Sequence, residues 1–475
     1  MIARRLPFVL LGAALVAAVV VADRDEPEAA AGSVYGENAL SQSTPALYDG
    51  DLLSTSWFCP GGPTTDDRST SVTAFNSTDD PREITISAVT EAGTTAERQV
   101  TVPPRNRVVV DLGGLAAGAN TAATVATYGG GVVVEQTVVG RTGVAVSPCA
   151  DRASSTWYLA DGTTTADASL TLVLYNPFPD DAVVDIALTT LERTLEPPNL
   201  QGTVVPGRSV RLYDITRAAQ REEVVSTAVQ GRGARLVAGR MQSADKPGRR
   251  GFAAGLAAAE PQLTWWFPDG EKGEGIGEKF VVFNPGDLDA SVDLSFLPAA
   301  GGTPPIPVSV VVPPSSFEVI DVSGQAAVPA GPHSTVVNVV GDQTPVVVER
   351  LLTRPLDDTS VTTLLLGSQI TVPEWYVIEE PAARGGVIVV MNAAGLETTA
   401  AVKAIGPAGA VPIPGLEAVP VPPGGAASIT VPETVGGFPL VIEAGQPVVV
   451  EWRARADAGD RVSRVNALGF PVFRG

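Results

Sequence analysis

Carboxylates are the residues in this sequence with the most chemical promise, and they recur in register. Asp79-Asp80, Asp180-Asp181 and Asp287/Asp289 occupy one equivalent turn, with only Glu397 at its fourth occurrence. An oxygen-rich turn is the raw material of a calcium site, because that ion takes six to eight oxygen ligands. No copy matches the twelve-residue calcium loop, so the turns read as solvated. A second set, Glu135, Glu349 and Glu451, ends Val-Val-Val-Glu strands, while Gly239 stands at the equivalent place. With Arg350 and Arg453 beside them, these acids read as surface ion pairs, which contribute little. A shared catalytic acid should not vanish from one copy. A hydrolase would need two acids converging in a cleft at roughly 5 to 10 Å.

Other catalytic constellations are weaker still. The one histidine, His333, lies in a Pro-Ala-Gly-Pro-His-Ser stretch that reads as a loop. No serine sits in a Gly-x-Ser-x-Gly elbow. Two cysteines and one histidine are too few for an ordinary structural zinc cluster. No phosphate loop or dinucleotide fingerprint sits between a strand and a helix. No catalytic, cofactor-binding or metal-ligating residue is assigned, and no cofactor is expected.

Tryptophans and asparagines carry the repeat. Trp57, Trp157, Trp265 and Trp375 recur about every 100 to 110 residues, and Asn76, Asn176, Asn284 and Asn392 follow them 17 to 19 residues later. Such rings could stack on sugar faces, but a core plug at the start of a first strand is the simpler role. Trp265-Trp266 is the exception, because adjacent strand residues face opposite sides and at most one ring is inward. Trp265 and Trp266 are therefore the candidate ligand contacts. The asparagines end a strand before a polar turn, where an Asn side chain bonds nearby backbone. Asn76-Ser77-Thr78 also fits the N-glycan acceptor pattern.

The elements that position these residues are strands. Valine-rich runs alternate at period two, as in Glu83–Ser87, and turn residues punctuate them every 8 to 12 positions. A Val-Pro recurs at 102–103, 205–206, 312–313 and 421–422. Seven or eight short strands per repeat predict an all-β fold of four tandem immunoglobulin-like β-sandwiches. The expected boundaries are 53–150, 151–260, 261–372 and 373–475, joined by short links into a semi-rigid row. One short helix is expected within Asp214–Val224, capped by Asp214 or Thr216. Cys59 and Cys149 open and close the first repeat, and a disulfide between them would contribute about 4 to 5 kcal/mol by loop entropy.

The beginning of the chain reads as an export segment, residues 1–22. Arg4 and Arg5 precede an uncharged stretch from Leu6 to Ala22, and Asp23, Asp25, Glu26 and Glu28 follow. That polarity predicts an N-terminus inside and a body outside. The length suits either a signal peptide cleaved after Ala22 or Ala31, or an uncleaved single-pass anchor, with a slight lean to the anchor. Residues 23–52 read as an acidic, small-residue linker. The net charge of −20 argues against nucleic-acid binding. Four lysines among 32 cations, with abundant Ala, Val and Gly, match a high-GC bacterial genome.

Ser-Thr-Trp-Tyr-Leu-Ala-Asp-Gly followed by Leu-Val-Leu-Tyr-Asn-Pro-Phe-Pro-Asp-Asp-Ala, within 155–182, closely resembles the WYLAEG…NP repeats of bacterial surface proteins. From residue 53 to 475 the chain is similar to an uncharacterised actinobacterial exported family, a domain of unknown function. The fourth repeat departs, with Asn-Ala-Ala for Asn-Pro and no Asp-Gly after its tryptophan. The resemblance implies an envelope location and no activity. The expectation is a non-enzymatic structural, adhesive or scaffolding protein, partnered by an envelope protein or cell-wall glycan. A carbohydrate-binding array is the alternative, and a glycan hydrolase a weaker one.

Overall fold

Period-two valine runs bounded by Gly, Pro and Asp have one stable outcome, strands that bury one face against a second sheet. The computed structural model describes residues 44–49, 52–65, 67–246, 248–341, 344–378, 383–435, 437–458 and 461–474, and these are nearly all β with several sheets. The export segment, 1–22, and most of the linker lie outside the described residues. Among those described, no helix is long and apolar enough to cross a membrane.

Two strand orders alternate along the chain. One sheet runs Ser54–Pro63, Asn120–Tyr128, Arg82–Thr90, Thr95–Val102; its companion runs Asn106–Asp111, Ser69–Asn76, Val132–Val139, Val144–Pro148. The same orders recur from Thr156–Leu159 and from Thr264–Lys272. Near the C-terminus a single long strand, Leu440–Ala458, serves both layers. Its start pairs with Val372–Val377 and Thr398–Gly406, and its remainder with Ala383–Asn392 and Arg461–Leu468. The two sheets are thereby fused into one of ten strands.

The core between layers is valine, leucine and the repeat tryptophans. Trp57, Trp157, Trp265 and Trp375 are each at most 2% exposed. Each indole N–H donates to a carbonyl of the facing layer: Val132, Leu236, Val346 and Val448, at 2.8 to 3.0 Å. Cys59 and Cys149 form a disulfide. The expected short turn of helix is present as Ile215–Ala218, but Asp214 makes no side-chain cap. The Thr216 hydroxyl instead accepts from the Leu170 amide and so ties that turn to the neighbouring strand.

The repeats do not stand apart as a row of separate units. Ser43–Gly475 clusters as one compact unit. Ile378, Val441, Phe470 and Val472 belong to the same core as Trp57, Phe75 and Cys59. Trp57 packs edge-on against Phe470, and Leu47–Asp49 pairs in parallel with Phe470–Arg474. Four strands, Val144–Pro148, Gly251–Leu256, Thr359–Leu366 and Arg461–Leu468, complete a circuit. The first packs on the second and fourth, and the third packs on the same two.

Candidate functional site

A small-residue motif follows the tryptophan in the first three repeats, Pro60-Gly61-Gly62, Ala160-Asp161-Gly162 and Pro268-Asp269-Gly270; the first and third lie on the tryptophan's strand, and the second lies just past the end of its strand at Leu159. In the first and third the ladder slips there, between Cys59 and Gly62 and between Phe267 and Gly270. A bulge re-aims the chain, and glycine is needed for space. A Cβ on Gly61 (φ +75°) would lie 1.8 Å from the Thr121 oxygen, and one on Gly270 would lie 2.7 Å from the His333 ring. The backbone N–H of Asp269, at the bulge, and that of Asp161, just past the end of its strand, both meet the following repeat, where the Glu of its Val-Val-Val-Glu strand waits. Asp161 N–H donates to Glu349 Oε2 at 2.6 Å, and Asp269 N–H to Glu451 Oε2 at 3.2 Å.

Those glutamates are not surface acids, as their sequence context led us to expect. Glu349 and Glu451 are 0% exposed and Arg350 is 0% exposed. The outward face of one repeat's strand is the inward face of a contact with the next, which period-two alternation cannot reveal. Arg240 grips Glu349 with both terminal nitrogens, at 2.8 and 2.6 Å. Arg350 grips Glu451 in the same way, at 3.2 and 2.5 Å. The arginine follows the Glu position of one repeat and binds the Glu of the next. This rule accounts for Gly239. The equivalent of Arg240 in the first repeat is Gln136, which carries no charge and spends its amide on Gly61 N–H and the Ser147 hydroxyl. No anion is required opposite it, and a Cβ on Gly239 would meet the Gly255 oxygen at 2.7 Å.

The junction of the third and fourth repeats holds the densest charge. Arg354 forks onto Asp269 at 2.7 and 2.9 Å and also reaches Glu271, while Arg453 contacts Asp269 Oδ1 at 2.5 Å. Burial pushes the Asp269 carboxyl up, but Arg354, with help from Arg453 and Arg350, outweighs it and holds the group at about 2. Burial works against the charge on Arg350, and Glu451 more than compensates. At the preceding junction Asp161 is paired with Arg249. His333 is in a strand, Gly331–Val340, rather than a loop, and its Nε2 lies 2.8 Å from Glu278 Oε2.

The asparagines are identical in every repeat. Asn76, Asn176, Asn284 and Asn392 are 0% exposed. Each Oδ1 accepts from the backbone N–H two residues on, and each Nδ2 donates to the carbonyl four residues on. Nδ2 also donates to the carbonyl of Val102, Val205, Val312 or Val421, the valine of the recurrent Val-Pro. The turn role was legible in the sequence; the cross-strand staple was not, although the recurrence of a Val-Pro 26 to 29 residues after each asparagine was its signal. Asn76 is too enclosed to be a glycan acceptor. In the acidic turns, Asp79 pairs with Arg105, and Asp181 accepts from Gly207 N–H.

Of the two candidate ligand contacts, Trp265 is corrected: it is 0% exposed, bonded to the Val346 carbonyl, and offers no face to a ligand. Trp266 is half-buried and packs against the core that holds Trp375 and Trp452, while its backbone bridges Ser368 of its own repeat.

A family described as a family of unknown function (DUF5719) matches residues 128–252 and 237–463, well over half of the sequence, and the chain belongs to that family. No curated protein matches the chain. Among solved structures, "Crystal Structure of Thermotoga maritima 1070" is 19% identical with a TM-score of 0.21, covering 23% of this chain and 94% of that one. An Anabaena sensory rhodopsin transducer is 20% identical with a TM-score of 0.17, covering 21% and 92%. A tetra-tandem repeat from the extending region of a large adhesion protein is 13% identical with a TM-score of 0.13, covering 86% and 96%. At these TM-scores any functional argument rests on the chain's own geometry.

Proposed function

We propose, from membership of a family without an assigned activity, that this chain is a non-enzymatic cell-envelope protein of actinobacterial type. Four tandem immunoglobulin-like sandwiches are locked together as a rigid scaffold or adhesive platform. One observation carries the reading: the residues with the best chemical credentials are spent on joining repeats. Glu349, Glu451, Arg240, Arg350 and Asp269 are all buried in pairs that cross or brace a junction. A buried pair costs desolvation and is retained where it specifies one arrangement.

Export is supported by the basic-apolar-acidic order of residues 4 to 28 and by the Cys59–Cys149 disulfide, a bond that persists in oxidising compartments. Through residues 1–22 the body is either tethered outside the membrane or released. The partner is an envelope protein or cell-wall glycan. Fractionation of cells, with mass measurement of the mature N-terminus, tests the address. Pull-down of envelope proteins and wall fragments by the purified chain tests the role. Recovery in the cytosol with reduced cysteines would overturn the proposal. Saccharide binding that is lost in Trp266→Ala would favour the carbohydrate-binding alternative.

A further inference from the structure

Where the four strands of the circuit meet, they leave a cleft of about 100 Å³ lined by residues of every repeat, among them Val146, Ala254, Leu364, Arg464 and Asn466. The walls are mostly aliphatic. Phe252 and Ala254 extend them from a small apolar cluster with Val138 and Ala145. The polar side chains of the lining are Thr44, Ser147, Arg240, Thr363, Arg464 and Asn466; Arg240 is committed to Glu349, the Asn466 amide donates to Glu451 Oε1, and the Ser147 hydroxyl accepts from Gln136. A concave apolar site with a small number of placed polar groups is the usual form of a small-molecule site.

Arg464 is the unusual member. Its Nη2 donates to the Pro355 carbonyl at 2.7 Å, and its Nε is buried without a hydrogen-bond partner. Among the described residues no carboxylate pairs with it. The acids nearby are taken: Asp269 by Arg354 and Arg453, and Asp357 by Arg455. Burial, followed by the charges of Arg354 and Arg453, lowers the guanidinium from its ordinary value. A cation held among cations, with an unspent N–H beside an apolar hollow, is the arrangement that an anion relieves. The chain's net charge of −20 opposes anions only at long range. Salt screens that repulsion within about 8 to 10 Å.

We propose that this cleft binds a small organic anion, a short-chain carboxylate whose head engages Arg464 and whose alkyl body lies against the strands of the circuit. An apolar cavity of about 150 Å³ holds benzene, so a smaller one suits a body of roughly four carbons. The inference does not depend on the scaffold role or on the cellular address.

The test is calorimetric or ligand-observed NMR titration of the full-length chain in mild detergent with butyrate, acetate and butylamine. Butyrate binds, acetate binds at least about fivefold more weakly, and butylamine does not bind. Arg464→Gln weakens butyrate at least about tenfold, and Arg464→Lys by less. Ala254→Phe fills the hollow without altering charge and abolishes binding; it decides the matter if Arg464→Gln does not fold. No butyrate binding, equal binding of butylamine, or full binding by folded Arg464→Gln or Ala254→Phe overturns the proposal.

Discussion

Arg240 and Glu349 show what a single residue does in this protein. Their charges are desolvated together, so neither can be removed alone at low cost. Arg240→Met leaves Glu349 buried without its cation and should destabilise the chain by about 3 to 5 kcal/mol in urea denaturation. Adding Glu349→Leu should recover most of that loss; a cost below about 1 kcal/mol for the single change would contradict the burial described here. Asp269 makes a prediction in pH. Its folded value of about 2 lies below the ordinary 3.8. Its contribution is therefore complete above about pH 4 and lost as pH falls toward 2, amounting to about 2 kcal/mol. The stability gap between wild type and Asp269→Asn should be constant from pH 7 to 5 and shrink below pH 4. Glu451, which burial pushes up, responds in the opposite sense but is present in both chains. A gap that does not change with pH would remove the electrostatic account. At this scale the sequence was half legible. The tryptophans and asparagines were read correctly as core and turn because their roles are local. The Glu-Arg pairs were misread, because nothing in one strand announces that its outer face meets another repeat.

At the scale of elements, bulge, staple and disulfide each fix a strand. The asparagine joins its own turn to the Val-Pro strand through buried bonds, so Asn284→Ala should cost about 2 to 3 kcal/mol at roughly 1 kcal/mol per net hydrogen bond. Asp287→Ala, in the same turn but exposed, should stay within about 0.5 kcal/mol; equal effects would mean that the staple is not what holds the turn. Replacing Cys59 and Cys149 by alanine should cost up to about 4 to 5 kcal/mol by the loop-entropy estimate, read as a fall in the urea midpoint that a reducing agent reproduces in wild type. The strands and their punctuation were visible in the sequence, since period two and Gly, Pro and Asp turns are local signals. The bulge was hidden in plain view as Pro-Asp-Gly. The one turn of helix, Ile215–Ala218, was legible in place and length; its cap was not, because the Thr216 hydroxyl accepts from the Leu170 amide on a neighbouring strand.

For the whole molecule, the circuit of four strands and the shared core between first and last repeats make the junctions part of the fold. Repetition was plain from the spacing of tryptophans. How the repeats meet was not, because it depends on pairs about 100 positions apart, Arg240 with Glu349 and Arg350 with Glu451, whose motif within one strand does not reveal its partner in the next. The most direct measurement of the central claim, that buried pairs and shared cores unite the repeats, is scanning calorimetry of the intact chain. The account predicts one transition, with calorimetric and van't Hoff enthalpies in agreement, that splits when Arg240→Met and Arg350→Met are combined. Several well-separated transitions in the wild type, each of the enthalpy expected for about 100 residues, would contradict it.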